Sequence, residues 1–391
     1  MRVIVFLNSY INGISGGDKW ILEICKRLEK KGVKVEIVSS KLGYKNFSKF
    51  LSKKAIWHIT TYENNISNNV LHIILLYLKR VVKGMLLNLQ TSKDDILFAS
   101  STFFPDILPI LFKNGIKITI FHMIPPNPFY GYRGVFLKKV DIRDFVRTML
   151  YYLHNLSSLV LFRISGGYIF ALPTTYDYVK KLFQKDKIYP TLNGIDFDLI
   201  NSSIKDEGKE YDACWIGRVH PQKGIDDLIN IWKTVTKYIP KAKLVLAGKG
   251  TEEYKKLVQK EGLSKNIEIK GFIGENEKYE LIKKSKLFLF PSYYESFPIT
   301  VLEVLSCGVP IIAYDLPVYR KAFPNFPLIL IRVGDVSEFA HRVISLLEED
   351  RWKMYSIYIG KNIRKTLLNF TWDRIAEGIY ETLKQIRGAQ P

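Results

Sequence analysis

The chain of 391 residues is poor in cysteine. Its three cysteines, Cys25, Cys214 and Cys307, lie far apart and form no C-x-x-C pair. This spacing argues against a disulfide framework and against a zinc site, and it favours a reducing, cytosolic compartment. No D-x-D metal clamp with supporting ligands is evident either. We therefore expect neither a metal ion nor another cofactor.

Long apolar runs are also missing. The first residues, MRVIVFLNSY, predict a strand, because the run is too short for a signal peptide and lacks a cleavage site. Lys and Arg interrupt the apolar residues of Val70–Leu89 and of the segment from Tyr130 to Arg163, so neither segment has the uninterrupted length needed to cross a bilayer. We expect a cytoplasmic protein, without a membrane-spanning helix.

Acidic residues are fewer than basic ones, 38 against 58, and the formal net charge is +20. Residues 1–200 hold 28 Lys and Arg against 14 Asp and Glu, and the remainder holds 30 against 24. Such a charge fits an anionic substrate, an anionic membrane or nucleic acid. No zinc-finger spacing or aromatic ribonucleoprotein signature accompanies it, so we expect no nucleic acid partner. A solvated, lysine-rich surface is the alternative.

The length and the alternation of apolar runs with helical patterns predict two α/β domains, each built on a parallel sheet. A polar stretch at Asn201–Glu210 indicates a linker. The predicted domains are residues 1–195 together with 371–391, and residues 196–370. Strands are predicted at Val3–Leu7, Val33–Val38, Ile56–Ile59, Ile96–Ala99, Lys117–Phe121, Tyr168–Leu172, Ile188–Thr191, Asp212–Ile216, Lys243–Ala247, Asn266–Lys270, Leu287–Pro291, Val309–Ala313 and Leu328–Ile331. Helices are predicted at Gly17–Lys31, Val70–Leu89, Phe104–Phe112, Asp141–Phe162, Thr175–Gln184, Gly224–Tyr238, Thr251–Lys260, Asn276–Lys283, Thr300–Ser306, Val336–Leu347 and Trp372–Ile386.

The stretch ESFPITVLEVLSCGVPIIAYDL contains two carboxylates, Glu295 and Glu303, separated by seven residues. Pro298 can start a helix but not continue one, so Thr300 would lie in the first turn, among free backbone N–H groups that attract phosphate. Carboxylates beside such a helix end can accept hydrogen bonds from sugar hydroxyls. A phosphate site flanked by hydroxyl acceptors is what a nucleotide-sugar enzyme needs. The alternative is two glutamates flanking a surface helix.

The stretch DACWIGRVHPQKGIDDLI places Arg218 at the end of a strand and Lys223 before the next helix. An Arg fork and a Lys point charge five residues apart suit the two phosphates of a nucleoside diphosphate. They would stabilise the charge on the departing phosphate oxygen. A solvated Arg and Lys on a turn are the alternative.

Two features of the first half point to the same chemistry. Gly16 and Gly17 follow the first strand and open a helix, where backbone N–H groups can approach an anion closely. His122 ends a strand, and a His there can hydrogen-bond a sugar hydroxyl or shuttle a proton. A plain helix start and a strand-end His with satisfied hydrogen bonds are the alternatives.

Together these motifs resemble the retaining glycosyltransferases of family 4, whose E-x7-E signature is followed by a CGVP-type turn. Here that turn is CGVP at 307–310, and Ser296 stands where the family commonly has Gly. The resemblance covers essentially the whole chain, strongly over 190–316 and weakly over 40–170. It implies the GT-B fold, in which two Rossmann-like doubly wound domains face a central cleft and the last helix crosses back to the first domain.

The family resemblance also implies roles for individual residues. The catalytic group would be His122, Glu295, Arg218 and Lys223, with Glu295 on the hexose hydroxyls. The donor site would consist of Gly16, Gly17, Arg218, Lys223, Gly248, Phe272, Ile273, Glu295, Phe297, Pro298, Ile299, Thr300, Val301 and Glu303. Glu303 would hold the ribose hydroxyls, and the loop at Phe272 would meet the base.

The acceptor side is expected in the basic, partly apolar segment that follows His122, at Arg133, Lys138, Lys139, Arg143 and Arg147. An amphipathic basic helix can lie on an anionic membrane. In family 4 the first domain receives the acceptor, often a lipid-linked one. We therefore expect a protein peripheral on the cytoplasmic face of the cell membrane. A solvated helix packed on its own sheet is the alternative.

The sequence thus predicts a retaining, metal-independent hexosyltransferase. Its partners would be a GDP- or UDP-hexose, with GDP-mannose as the first guess, and a lipid-linked or other glycan acceptor. The alternatives are a sugar phosphorylase or nucleotide-sugar epimerase of the same fold, and a basic nucleic-acid or membrane-binding protein without catalysis.

Overall fold

The chain divides into two units that each contain one parallel sheet. The computed structural model describes residues 1–9, 15–66, 69–124, 142–202 and 208–389. Of these, unit 1 holds the residues up to Gly194 and those from Trp372 onward, and unit 2 holds Ile195–Thr371. The divisions lie one residue from the predicted boundaries at 195/196 and 370/371. They do not coincide with the polar stretch from Asn201, whose first residues end a helix of unit 2.

The sheet of unit 1 has seven parallel strands in the order β3-β2-β1-β4-β5-β6-β7. The strands are β1 Arg2–Phe6, β2 Lys34–Ser39, β3 Ile56–Ile59, β4 Ile96–Ala99, β5 Ile116–Phe121, β6 Tyr168–Ala171 and β7 Ile188–Pro190. The central strand β1 pairs with β2 through Val3 and Val35 and with β4 through Val3 and Ile96. Its residues Val3–Phe6 are all buried, as expected for a strand covered on both faces.

The helices of unit 1 include one from the far end of the chain. They are α1 Gly16–Lys30, α2 Lys41–Phe47, α3 Val70–Leu86, α4 Phe104–Leu111, α5 Ile142–Ile164, α6 Pro173–Val179 and α16 Trp372–Gly388. Arg27 of α1 donates from Nε to Asp373 at 2.8 Å, and Lys31 just after α1 forms an ion pair with Glu377 at 2.5 Å. The last helix therefore packs on the first, as the family resemblance implies.

The sheet of unit 2 repeats the same winding with six parallel strands in the order β10-β9-β8-β11-β12-β13. The strands are β8 Tyr211–Ile216, β9 Leu244–Ala247, β10 Ile267–Gly271, β11 Ser285–Phe290, β12 Ile311–Tyr314 and β13 Leu328–Ile331. The helices are α7 Phe197–Ser202, α8 Ile225–Tyr238, α9 Lys255–Lys260, α10 Glu275–Lys283, α11 Ile299–Ser306, α12 Pro317–Ala322, α13 Val336–Leu347, α14 Trp352–Asn362 and α15 Arg364–Leu367.

The core of unit 2 forms where α8 and α13 cover one face of the sheet. Trp215 of β8 and Trp232 of α8 are completely buried there, together with Phe339 of α13. The amphipathic pattern of α8 explains this, because its buried residues recur at helical spacing. Two doubly wound α/β domains were predicted, and the structure confirms this fold class.

Candidate active site

The predicted donor residues of unit 2 lie where the strand order of its sheet reverses. β8 and β11 are neighbours, and the chain runs outward from them in opposite directions along the sheet. Open α/β sheets bind ligands at the carboxyl ends of such a strand pair. Arg218 follows the end of β8, and Glu295 lies in the loop that follows β11.

The loop after β8 is fixed to the loops beside it by backbone hydrogen bonds. Val219 donates its N–H to the carbonyl of Lys249 at 2.9 Å. Gln222 accepts from the N–H of Tyr293 at 2.8 Å and donates from its side chain to the carbonyl of Tyr294 at 2.6 Å. The backbone that carries Arg218 and Lys223 is therefore held at a set position relative to the loop that carries Glu295.

Gly224 ends this loop and cannot be replaced by a larger residue without strain. Its φ is 65°, in the left-handed region, and a Cβ atom would lie 2.0 Å from the carbonyl oxygen of Pro291. The close approach brings the start of α8 against the loop after β11.

Lys223 and Glu295 form an ion pair of 2.6 Å between Nζ and Oε1. The Lys223 side chain is 23% exposed and the Glu295 side chain 9%. The ammonium also lies 5.5 Å from the centre of the Phe290 ring. Because an ammonium has three donors, Lys223 can hold Glu295 and still bind an anion.

Arg218 differs from Lys223 in having no partner among the residues that the structure describes. Its residue is exposed, and among the described residues none forms a hydrogen bond or ion pair with its guanidinium. Its five donors are therefore open to an incoming anion.

Gly248 is a glycine for a reason that the sequence did not reveal. Its φ is 126°, and a Cβ atom would lie 1.9 Å from the carbonyl oxygen of Gly217. Its N–H donates to the carbonyl of Gly271 at 2.6 Å. The close contact is thus with the neighbouring backbone loops, so a role of Gly248 toward the donor is one of shaping the site.

The remaining donor residues divide into exposed and buried ones. Phe272, in the loop after β10, is 82% exposed, and Ile273 beside it is half-buried. Phe297 is only 5% exposed and packs its ring 5.1 Å from that of Phe323 and 6.4 Å from that of Phe370. The Phe297 ring is therefore part of the core of unit 2.

Helix α11 begins at Ile299, with Pro298 as its N-cap. Thr300 in its first turn is half-buried, whereas Val301 is 1% exposed and donates its N–H to the carbonyl of Pro298 at 3.0 Å. The free N–H groups that the sequence predicts at this helix end are therefore those of Ile299 and Thr300.

Glu303 is 5% exposed, and its contacts come from α10. Lys278 donates to its Oε1 at 2.7 Å and the Tyr279 hydroxyl to the same atom at 3.3 Å. Burial, and the nearby charge of Glu303, raise the pKa of Tyr279 above its ordinary value. Glu303 is thus a paired carboxylate, and both of these contacts are to Oε1.

Hydrogen bonds that the sequence did not indicate position the loop after β11. Asp227, in the first turn of α8, accepts hydrogen bonds from the hydroxyls of Tyr293 and Tyr314. Burial raises the pKa of Tyr319, and so does the nearby charge of Glu295. No periodicity marks these residues, because their partners are distant in sequence.

In unit 1, the structure brings Gly17 and His122 together. A Cβ atom at Gly17 would lie 3.0 Å from the Nε2 atom of His122. Gly16 precedes it as the first residue of α1, which is capped by the Ser15 hydroxyl. The ring of Trp20, one turn further along α1, lies 6.2 Å from the His122 ring.

The imidazole of His122 is neutral at neutral pH. Burial lowers its pKa to about 4, although a hydrogen bond to the carbonyl of Ser100 opposes this shift. That bond joins Nε2 and the carbonyl oxygen at 3.1 Å, so Nε2 carries the proton. Nδ1 is therefore the nitrogen with a free lone pair, able to accept a hydrogen bond from a hydroxyl.

A second polar cluster of unit 1 surrounds Asp106 on α4, at the carboxyl ends of β1 and β4. The carboxylate accepts from the N–H groups of Asn8 and Ser9 at 2.6 and 3.1 Å and from the Ser101 hydroxyl at 2.5 Å. Burial raises the pKa of Asp106 to about 6 in spite of these bonds. No sequence pattern indicated this cluster, since Asp106 lies in an otherwise apolar helix.

The predicted acceptor residues are mostly beyond what the structure describes. Arg133, Lys138 and Lys139 lie outside the described residues, and Arg143 and Arg147 belong to α5 with side chains that are not described. Helix α3 is described.

The basic residues of α3 do not share one environment. Arg80 is 2% exposed and pairs with Glu63, whereas Lys79 and Lys83 are exposed. Of the three cations on α3, Arg80 is therefore part of the interior, and Lys79 and Lys83 are at the surface.

Two features are absent from the described part of the chain. No helix there has the length and apolar character to cross a membrane. Within the same ranges, no three His, Cys, Asp or Glu side chains come together as metal ligands.

Comparisons with known proteins agree with the resemblance. The family model described as "Glycosyl transferases group 1" matches residues 196–366. The alpha-galactosylglucosyldiacylglycerol synthase of Streptococcus pneumoniae (strain ATCC BAA-255 / R6) is 26% identical over 217 residues, which cover 53% of this chain and 56% of that protein. The phosphatidyl-myo-inositol mannosyltransferase of Mycobacterium leprae (strain TN) is 24% identical over 200 residues, covering 49% and 52%. The chain thus spans about half the length of these relatives.

A solved structure matches the whole chain. The sucrose-phosphate synthase from Thermosynechococcus elongatus superposes with a TM-score of 0.73 at 15% identity, covering 100% of both chains. At this identity the match shows a shared fold.

Proposed function

We propose that this chain is a group 1 glycosyltransferase of the family 4 type with the GT-B fold, and that it transfers a hexose from a nucleoside diphosphate sugar to an acceptor. One observation carries the proposal. Arg218 and Lys223 lie in the loop after β8, and Lys223 pairs with Glu295 of the loop after β11, so two cations and a carboxylate lie on the two loops where such a sheet binds its ligand.

The cations suit the diphosphate of the donor. Arg218 is exposed with its donors open, and Lys223 has donors beyond the one that holds Glu295. Both would stabilise the negative charge that develops on the phosphate oxygen as the glycosidic bond breaks. With this charge neutralised by side chains and by the first turn of α11, the reaction needs no metal ion.

The carboxylate of Glu295 suits the hexose. Its Oε1 atom is held by Lys223 at 2.6 Å, which leaves Oε2 to accept hydrogen bonds from sugar hydroxyls. Glu303 is proposed to hold the ribose in the same way, through Oε2, while Lys278 fixes Oε1. Both carboxylates position the donor, which separates this site from the acid and base pair of a glycoside hydrolase.

The reaction proposed is a retaining transfer. The donor sugar leaves its diphosphate on the face from which the acceptor hydroxyl attacks, and the leaving phosphate oxygen takes the proton of that hydroxyl. The bond from the anomeric carbon to the phosphate oxygen breaks, and a bond to the acceptor oxygen forms. His122, neutral and with Nδ1 free of the Ser100 contact, would accept a hydrogen bond from a sugar hydroxyl.

The names of two relatives support our choice of donor and acceptor. Their names describe a mannosyltransferase acting on a phosphatidyl-inositol and the synthesis of a glycosylated diacylglycerol. We therefore propose GDP-mannose first and UDP-glucose second as donors, and a lipid-linked glycan as acceptor.

An apolar outward face of α3 supports a peripheral membrane position. The exposed apolar residues of this helix are Val70, Leu71, Ile74, Leu75, Leu78, Val82 and Leu86. Lys79 and Lys83 are exposed on the same helix, and α3 contains no Asp or Glu. Apolar side chains with flanking cations and no acidic residue fit the surface of an anionic lipid layer.

The donor assignment is tested by thermal shift with GDP-mannose, UDP-glucose and related nucleotide sugars. We expect one nucleotide sugar to stabilise the wild-type protein selectively. Arg218→Gln should reduce this stabilisation while leaving the unliganded melting temperature unchanged, because Arg218 is exposed and has no described partner. Lys237→Gln, at an exposed lysine near the end of α8, is the matched control. Equal stabilisation of the wild type and Arg218→Gln would reject the site.

The membrane assignment is tested by sedimentation with vesicles of phosphatidylglycerol or of phosphatidylcholine. We expect the wild-type protein to sediment with the anionic vesicles. The double variant Leu71→Glu, Leu78→Glu should remain in solution. Met354→Glu, at a residue of unit 2 that is 69% exposed, is the control for an added surface charge. Indifference of the wild type to anionic lipid would remove this part of the proposal.

A further inference from the structure

Unit 1 contains a pocket that no predicted site residue explains. It lies between helix α2, which follows β2, and the segment that follows β3, and its volume is about 400 Å³. The pocket therefore lies beyond the carboxyl ends of β2 and β3, the side of the sheet on which open α/β folds bind ligands. The volume falls within the range of small-molecule sites. We call this cavity the α2 pocket.

The charges that line the α2 pocket favour an anion. Lys41 and Lys45 lie one turn apart on α2, both exposed, and neither forms an ion pair with any residue in the described ranges. Glu63 is the acidic residue of the lining, and its charge is matched by the buried guanidinium of Arg80. Two unmatched ammonium groups thus face the pocket.

An aromatic ring and an amide suit a sugar in the same place. Tyr44 is 44% exposed between the two lysines in sequence, and its ring meets that of Trp57 edge-on at 5.1 Å. This contact holds the ring in position, so that its free face can stack on a sugar. Asn64 lines the pocket and offers both a donor and an acceptor to hydroxyls.

We propose that the α2 pocket binds an anionic sugar unit of the acceptor, that is, a sugar that carries a phosphate or a carboxylate. Lys41 and Lys45 bind the anionic group, Tyr44 stacks on the ring, and Glu63 and Asn64 hydrogen-bond its hydroxyls. The inference rests on the proposed function, because it assigns this pocket to the acceptor of the transfer. It goes beyond that function in naming the acceptor's charge and the residues that select it.

The test is saturation-transfer NMR of the full chain with single sugars as probes. We expect signals from the ring protons of glucose 6-phosphate and of glucuronic acid, and much weaker ones from glucose. The comparison of the two acids tells whether the anionic group is a phosphate or a carboxylate. Absence of signal from both acids, or equal signals from the acids and from glucose, would overturn the proposal.

Variants locate the binding. The double variant Lys41→Ala, Lys45→Ala should bind the better of the two acidic sugars about fivefold or more weakly than the wild type does. This is the upper range for exposed charge pairs. Tyr44→Ala should lower the ring-proton signal, and Tyr44→Phe should restore it, since the ring and not the hydroxyl makes the stacking contact. Lys53→Ala, an exposed lysine of unit 1 that does not line the pocket, is the matched control. Unchanged affinity in the double lysine variant would reject this location.

A second measurement separates this proposal from the proposed function. The double lysine variant should keep the thermal shift produced by the nucleotide sugar, because no residue of the α2 pocket is assigned to the donor. If the nucleotide sugar stabilises the protein and the α2 variants alter no sugar binding, only the acceptor inference fails. If no nucleotide sugar stabilises even the wild type, the proposed function fails.

Discussion

The sheets of the two units share the order of their first six strands, but the charged residues at the strand ends differ in their exposure. In unit 2, Arg218 is exposed, and the ion pair of Lys223 and Glu295 stays partly open to solvent. In unit 1, the carboxylate of Asp106 is completely buried, and His122 is kept neutral by burial.

The difference shows that the loops, and not the sheet, determine the chemistry of each unit. Asp106 uses its lone pairs to fix the backbone after β1, and so little of its charge remains for a ligand. In unit 2, by contrast, Arg218 and Lys223 retain N–H donors that can bind a ligand. A doubly wound sheet thus supplies only the place for a site, and the residues that follow its strands supply the function.

The largest expected effect comes from replacing one glycine of the candidate site in each unit. Gly248→Ala should lower the free energy of unfolding by about 4 kcal/mol, because its Cβ would meet the Gly217 carbonyl at 1.9 Å with φ at 126°. Gly17→Ala should cost about 1 kcal/mol or less, since its Cβ would touch only the His122 ring at 3.0 Å and lies in a helix. Urea unfolding measures both, and equal costs would contradict the distinction.

The next effect concerns the neutral imidazole of unit 1. The folded pKa of His122, about 4, lies below the usual value of 6.5, so the unfolded chain binds more protons between these limits. Stability from this group is therefore complete above pH 6.5 and is lost as the pH falls toward 4, by at most about 3 kcal/mol. Asp106, whose pKa is raised, acts in the opposite direction, since its contribution is lost as the pH rises through about 6.

Denaturant unfolding at pH 4.5 and pH 7 isolates the histidine. His122→Gln keeps Asp106, so the difference between the wild type and this variant reports His122 alone. The variant should lose less stability on acidification than the wild type does. An identical loss would show that the imidazole is not held neutral.

A smaller effect is expected from the ion pair of unit 2. Lys223→Ala should cost about 2 kcal/mol, because it leaves the carboxylate of Glu295, 9% exposed, without its cation. Adding Glu295→Gln should recover part of this loss. A double-mutant cycle measures the coupling, and a coupling near zero would mean that the two charges are solvated independently.

The smallest effect on stability is expected for the exposed guanidinium. Arg218→Gln should change the free energy of unfolding by less than about 0.5 kcal/mol, yet weaken nucleotide-sugar binding by about tenfold, the value of a charge-assisted hydrogen bond. Calorimetric titration of the nucleotide sugar measures the second change. A large loss of stability would show that Arg218 serves the fold.

The fold could be predicted where local signals agree. β13 at Leu328–Ile331 and α13 at Val336–Leu347 have the predicted bounds, because a short apolar run and an amphipathic repeat are separated by polar residues. Asp335 caps α13 with its side chain. Such elements are specified by their own residues.

Elements governed by distant contacts were missed or shifted. The prediction gave no helix at α2, which contains Gly43, and a Cβ at this glycine would lie 2.1 Å from the Ser39 hydroxyl. The helix predicted at Thr175–Gln184 begins instead at Pro173, whose fixed φ suits a first turn, and ends at Val179.

The same limit applies to the candidate site. Spacing placed Glu295 and Glu303 on a loop and a helix, and the structure has both there. It gave no sign that Lys223 would pair with Glu295 or that Lys278 would pair with Glu303, since these partners are 72 and 25 residues away. Ion pairs across a fold depend on how the strands are ordered, which no local pattern encodes.

The return of α16 to α1 has a consequence for synthesis. Unit 2 follows the first part of unit 1 in the chain. The ion pairs of Arg27 and Lys31 cannot form until Asp373 and Glu377 have been synthesised. A polypeptide that emerges amino end first therefore presents all of Ile195–Thr371 before the earlier unit has its last helix. On the ribosome, the second unit to be translated is the first that can be complete.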